Sequence, residues 1–224
     1  MVRQLRLKLQ RPATYAREDF VPSPSNAEAI RALDAWPAWH GGCLALVGPE
    51  GSGKTHLGMS WARRVDAVVP SRTAPADLAS LPGKPVLIEN ADQWLSDETL
   101  FHLINMAGGS GGGLLLTARN RPWLWEAKLP DLRSRLNALP VAELEPPDDA
   151  LLEAVLSKFF RERNIRPADD VIPYLVRRIE RSIPHAREIV AKLDEAADAE
   201  QRPISRTLAR QILEIDRGGP DLFE

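Results

Sequence analysis

One octapeptide limits the folds open to this chain more than any other feature: Gly48-Pro49-Glu50-Gly51-Ser52-Gly53-Lys54-Thr55. It fits G-x-x-x-x-G-K-[ST], and it sits between a continuous apolar run, residues 43–47, and a segment from Thr55 to Val65 that reads as a helix. A strand before and a helix after is the context in which the motif works. Gly48, Gly51 and Gly53 let the backbone curl so that its N–H groups point inward at an anion, and the helix N-terminus adds a favourable field. Lys54 can then reach the β- and γ-phosphates, and the Thr55 hydroxyl can ligate Mg2+. Nucleotide binding is the expectation that follows.

The remaining pattern fits a sheet built around that strand. Continuous apolar runs at residues 43–47, 85–88 and 114–117, with shorter candidates at 67–69 and 139–144, are of the buried-strand type. Helical stripes alternate with them, at residues 27–35 before the first run and at 97–107 between two others. Ser25 or Asn26 is placed to cap the first of these helices. The reading is an α/β fold, a parallel five-stranded sheet with helices on both faces. After Pro146-Pro147 the strand signals vanish, and four amphipathic segments follow, around Leu151–Phe159, Val171–Ile179, Ser182–Leu193 and Ile204–Ile215. The expected division is an arm over residues 1–16, an α/β domain over 17–146, a small all-α lid over 147–216 and a tail over 217–224.

The acidic strand end refines the chemistry. Hydrolytic proteins with this loop usually carry two acidic residues at the end of a later strand, one holding Mg2+ through water and one acting on the attacking water. Here the run is Val86-Leu87-Ile88-Glu89-Asn90-Ala91-Asp92. Glu89 takes the metal position, with a solvated strand terminus as the alternative, and Asn90 the base position, and Asn cannot accept a proton at neutral pH. The site is expected to bind nucleotide well and to hydrolyse it poorly alone.

Lys plus Arg total 29 against 31 for Asp plus Glu, which disfavours a protein that grips nucleic acid through a broad basic face. The single Cys43 excludes an internal disulfide, fits a reducing compartment and reads as a small core residue. No apolar run approaches the ~18–20 residues a membrane span needs, so a cytoplasmic protein without membrane partners is the expectation. His40, His56, His102 and His185 show no metal-ligand spacing. Trp36, Trp39, Trp123 and Trp125 read as packing or inter-subunit contacts.

An ordered set of features resembles the AAA+ family, and within it the DnaA-like branch. They are Asp19-Phe20-Val21 with Ser25-Asn26, the glycine-rich loop, residues 97–105, Leu132-Arg133-Ser134-Arg135-Leu136, and Ala186-Arg187-Glu188. The resemblance covers about residues 17–198. It implies an adenine pocket along residues 19–26, with Phe20, Val21 and Asn26 in it, and a nucleotide site completed by Gly48, Pro49, Gly51, Ser52, Gly53, Lys54, Thr55, His56, Glu89, Thr117 and Arg187. Thr117, or else Arg119, stands at the sensor-1 position, Arg187 resembles the sensor-2 arginine, and Arg135 resembles the arginine finger. A surface ion pair is the alternative for Arg133 and Arg135. Arg187 near a helix start opposes the helix dipole, which points weakly to an anionic partner.

The first residues add a partner. Gln4, Leu5, Leu7 and Leu9, in Gln4-Leu5-Arg6-Leu7-Lys8-Leu9, resemble the peptide that docks on the sliding clamp of DNA polymerase III, with an ordinary edge strand as the alternative. The chain stops soon after residue 215, where the DnaA initiator continues into a DNA-binding domain. The combination is similar to the Hda family of DnaA-homologous regulators. That resemblance implies ADP (or ATP) with Mg2+ as cofactors, DnaA and the DNA-loaded clamp as partners, DNA contact only through the clamp, and stimulated hydrolysis of DnaA-bound ATP. A homo-oligomer is compatible with it. The competing reading is a true ATPase of the same branch, a helicase loader or transposition helper.

Overall fold

The structure is a computed structural model that describes residues 15–74, 77–110 and 112–216. The expected clamp peptide, Gln4, Leu5, Leu7 and Leu9, lies outside the described residues, as does the tail from residue 217.

Four strands form the sheet: β1 (Cys43–Val47), β2 (Val86–Ile88), β3 (Leu114–Ala118) and β4 (Val141–Glu143). They are all parallel, in the order β2-β3-β1-β4, with Ala45 opposite both Leu116 and Val141. β1 and β3 are buried at every residue, which is why they read as unbroken apolar runs rather than alternating ones. Side chains alternate between two separate cores. Cys43, Ala45 and Val47 pack with residues of α4 (Asp97–Ser110) and α5 (Pro130–Ala138). Leu44 and Leu46 pack with Ala29 and Leu33 of α1 (Ala27–Asp34) and with Leu57 and Trp61 of α2 (Lys54–Val65).

The expected fifth strand is not part of this sheet. Residues 67–69 contribute one bridge, Val68 to Val86, closed by Val68 N–H to Pro85 O and Leu87 N–H to Val68 O at 2.9 Å each. Pro70 has no N–H to extend the ladder, and the chain turns at once, with Ser71 and Ala74 exchanging backbone hydrogen bonds. Asn26 also departs from expectation. It precedes α1 but its side chain makes no cap; it binds the preceding segment instead, Nδ2 donating to Val21 O and Oδ1 accepting from Ser23 N–H, both at 2.9 Å. The glycine stretch after residue 107 continues α4 as far as Ser110.

A short helix, α3 (Ala91–Trp94), follows β2 directly. Beyond β4 come only helices: α6 (Asp149–Glu162), α7 (Val171–Val176), α8 (Ile183–Ala199) and α9 (Arg206–Asp216). Their inner faces form a third core, from Leu151 and Phe160 to Leu193 and Leu213. Asp148 caps α6, accepting from Leu151 N–H at 2.7 Å, and Ser182 caps α8, with Pro184 in its first turn. The first pair of tryptophans is packing: Trp39 stacks on Trp61 and Trp36 meets it edge-on. No helix among the described residues is long and apolar enough to cross a membrane.

Candidate nucleotide-binding site

β1 ends where the glycine-rich loop begins. Gly51 and Gly53 hold φ of 75° and 101°, a region only glycine enters freely. A β-carbon on Gly51 would stand 2.4 Å from Ser182 Oγ, and one on Gly53 would stand 3.3 Å from the Phe20 ring. α2 starts directly after Gly53 with no side-chain cap. Its first N–H groups therefore keep the anion-seeking character of an uncapped helix start.

Lys54 is buried, and its Nζ donates to Gly48 O and Pro49 O, both at 2.7 Å. Burial holds its pKa below the ordinary lysine value and the Arg119 charge works the same way, while Asp92 and Glu50 oppose them. The Ser52 hydroxyl is buried without a partner among the described residues. Thr55, one turn into solvent, is exposed.

The ends of β2 and β3 close the other side. Glu89 Oε1 is buried and unpartnered, and the Glu89 carbonyl accepts from Trp94 Nε1 at 2.8 Å. Asn90 is left-handed (φ 50°, ψ 49°) and exposed, and its N–H donates to the buried Thr117 Oγ1 at 3.1 Å. Arg119, two residues further on, is exposed; its guanidinium pairs with Glu50 at 2.7 Å and its N–H donates to Asp92 Oδ2 at 3.3 Å. Asp92 Oδ1 is buried and without a partner among the described residues. Sequence reasoning passed over Glu50 and Asp92. The signal for Asp92 was its spacing, three residues beyond Glu89, which one turn of helix brings back to the same end of the sheet.

Residues from outside the sheet complete the cradle. Phe20 lies against Gly53 and against the His56 ring, whose Nε2 donates to Ala16 O at 3.1 Å. Burial is the main reason the His56 pKa falls below its usual value. Val21 packs on the helical core, and Lys158 of α6 binds Asp19 Oδ1 at 2.6 Å. The start of α8 docks on the loop, Ile183 N–H donating to Gly51 O at 3.2 Å. Arg187 is on the same helix; its guanidinium lies over the Phe159 ring, 4.1 Å from the centroid, and 3.6 Å from Glu162.

Arg135 stands apart. It is exposed on α5, and among the described residues neither it nor Arg133 makes an ion pair. Burial pushes the Cys43 thiol up to about 11, and the Arg135 guanidinium pulls the other way. α5 leads into Pro140, whose carbonyl accepts from Ala45 N–H of β1 at 2.9 Å, and the glycine-rich loop follows the last residue of β1, Val47.

No protein-family model matches the chain. It is 28% identical over 118 residues to the chromosomal replication initiator protein DnaA of Thermomicrobium roseum, covering 53% of this chain and 25% of that protein. Against DnaA of Cutibacterium acnes it is 25% identical over 229 aligned positions, covering 89% of this chain and 46% of that protein. The chain thus spans less than half the length of these initiators. Among solved structures, domain III of the Thermotoga maritima replication initiation protein DnaA superposes with a TM-score of 0.73 at 22% identity, over 90% of this chain and 96% of that one. AMPPCP-bound DnaA from Aquifex aeolicus superposes with a TM-score of 0.63 at 18% identity, over 82% and 65%. The chain has a DnaA-like AAA+ fold and is similar in sequence to replication initiators.

Proposed function

We propose that the chain is a nucleotide-binding regulator of replication initiation that promotes ATP hydrolysis on DnaA. The observation that carries this reading is Arg135, exposed on α5 and without an ion pair among the described residues, beside a cradle at residues 48–55 that draws its contacts from α8 and Phe20. We place its guanidinium outside the chain's own phosphate site. It can serve a neighbour's, where such a group accelerates phosphoryl transfer ~10³–10⁵-fold.

The bound nucleotide then has a structural task. ADP or ATP lies between the loop, Phe20, Val21 and Asn26 on one side and the start of α8 on the other, fixing the α/β part, residues 17–146, against a helical lid, residues 147–216. Thr55 and Glu89 supply hydroxyl and carboxylate oxygens, the hard donors Mg2+ takes, and the orphaned Glu89 Oε1 fits that use. Thr117 monitors the strand end, and Arg187 exchanges Glu162 for phosphate. Gln4, Leu5, Leu7 and Leu9 carry the chain to the sliding clamp and so to DNA.

A second reading, a helicase loader or transposition helper with its own ATPase, is favoured by one observation: Asp92 brings a second carboxylate to the strand end where Asn90 cannot act as a base. Turnover by the purified chain alone, measured beside capture by immobilised clamp, separates the two. Slow turnover with clamp capture is expected; fast turnover without capture selects the ATPase.

A further inference from the structure

We propose that Asp92 is the group that orients the attacking water and takes its proton when the chain hydrolyses its own ATP. The proposal rests on the reading of residues 48–55 as a nucleotide site.

Asn90 fails as a base for a reason of geometry as well as chemistry. Its left-handed conformation starts α3, its side chain is exposed, and its N–H is committed to Thr117 Oγ1. The same turn carries Asp92 back to β3, where Arg119 N–H holds Oδ2 at 3.3 Å. One oxygen is thereby fixed and the other, Oδ1, is left buried with no donor. A buried acceptor without a donor costs about 1–3 kcal/mol, and more when charged, which favours a donor arriving with a ligand. The unsatisfied atom is also in company. Ser52 Oγ in the loop and Glu89 Oε1 after β2 are likewise buried and without a partner among the described residues.

The remaining carboxylates have other commitments. Glu50 is exposed and paired with Arg119 at 2.7 Å. Glu89 ends β2 before the turn and is the Mg2+ candidate. Asp92 is tied to the glycine-rich loop through Arg119, from whose N–H it accepts at 3.3 Å and whose guanidinium pairs with Glu50 at 2.7 Å.

In the step, the water oxygen bonds to the γ-phosphorus and the bond from that phosphorus to the β,γ-bridging oxygen breaks. The bond's electron pair stays on ADP. The water proton passes to Asp92 Oδ1 and from there to the released phosphate.

The test uses the full chain with Mg2+. Phosphate release is followed over hours, and binding of a fluorescent ADP analogue is measured in parallel. Asp92→Asn keeps an oxygen for Arg119 N–H and removes the proton acceptor. It is expected to slow turnover on the order of 10²-fold while ADP affinity stays within about twofold of wild type. Asp92→Ala is expected to do the same if the Asn variant does not fold. Unchanged turnover in these variants overturns the proposal. So does an equal loss of turnover and ADP affinity, which marks a structural role, and so does wild-type release no faster than that of Lys54→Ala. Failure of the wild type to bind the ADP analogue overturns the nucleotide reading itself, and the binding measurement tells the two failures apart.

Discussion

At the scale of single residues, the cradle is built from side chains held off their usual protonation behaviour. His56 illustrates the consequence. Burial lowers its folded pKa below the unfolded value. Between those two values the unfolded chain binds the extra proton, so stability rises with pH across that window and declines as pH drops below about 6.5. A urea-midpoint series from pH 7.5 to 5.5 is expected to show this decline, and the decline is expected to shrink in His56→Gln, which has no proton to gain. An equal decline in both chains contradicts the assignment. The left-handed glycines of the loop and the helix start after Gly53 were legible in the sequence because they belong to a run with fixed spacing. Asp92 and Glu50 were not, since their place depends on the left-handed turn at Asn90 and on Arg119 reaching across from β3. Neither feature leaves a pattern in the one-dimensional chain.

At the scale of elements, the close approach of α8 to the glycine-rich loop is the contact with the most consequence. Gly51 has φ of 75°, and a β-carbon there meets Ser182 Oγ at 2.4 Å and Pro184 at 3.0 Å. Gly51→Ala is expected to cost about 1–3 kcal/mol and to weaken ADP binding, because relieving the clash moves either the loop or the helix start. A melting temperature and ADP affinity equal to wild type would refute this. Strand and helix order was readable from apolar runs and stripes, since β1 and β3 are buried on both faces and the later helices bury one face each. The fifth strand misled because residues 67–69 have strand composition but only Val68 pairs before Pro70 and the turn intervene. α3 was missed because four residues are too few to show a period.

At the scale of the whole molecule, two features carry the proposed roles. One is the proposed nucleotide cradle between the sheet and the helices that follow it; the other is Arg135, exposed and without an ion pair among the described residues. Trp123, half exposed beneath the Arg121 guanidinium, is a further apolar surface on the loop between β3 and α5. The proposed clamp contact is independent of both features: Gln4→Ala is expected to weaken clamp capture at least tenfold with ADP affinity unchanged, as befits an anchor residue, and unaltered capture removes the arm from the account. The central claim is that Arg135 works on another protein's triphosphate. Its direct measurement is the rate of ATP hydrolysis by purified DnaA with DNA-loaded clamp present, on adding this chain or its Arg135→Ala variant. Wild type is expected to accelerate hydrolysis and the variant, folded and ADP-bound, to leave it at the basal rate; acceleration that survives the substitution would contradict the account.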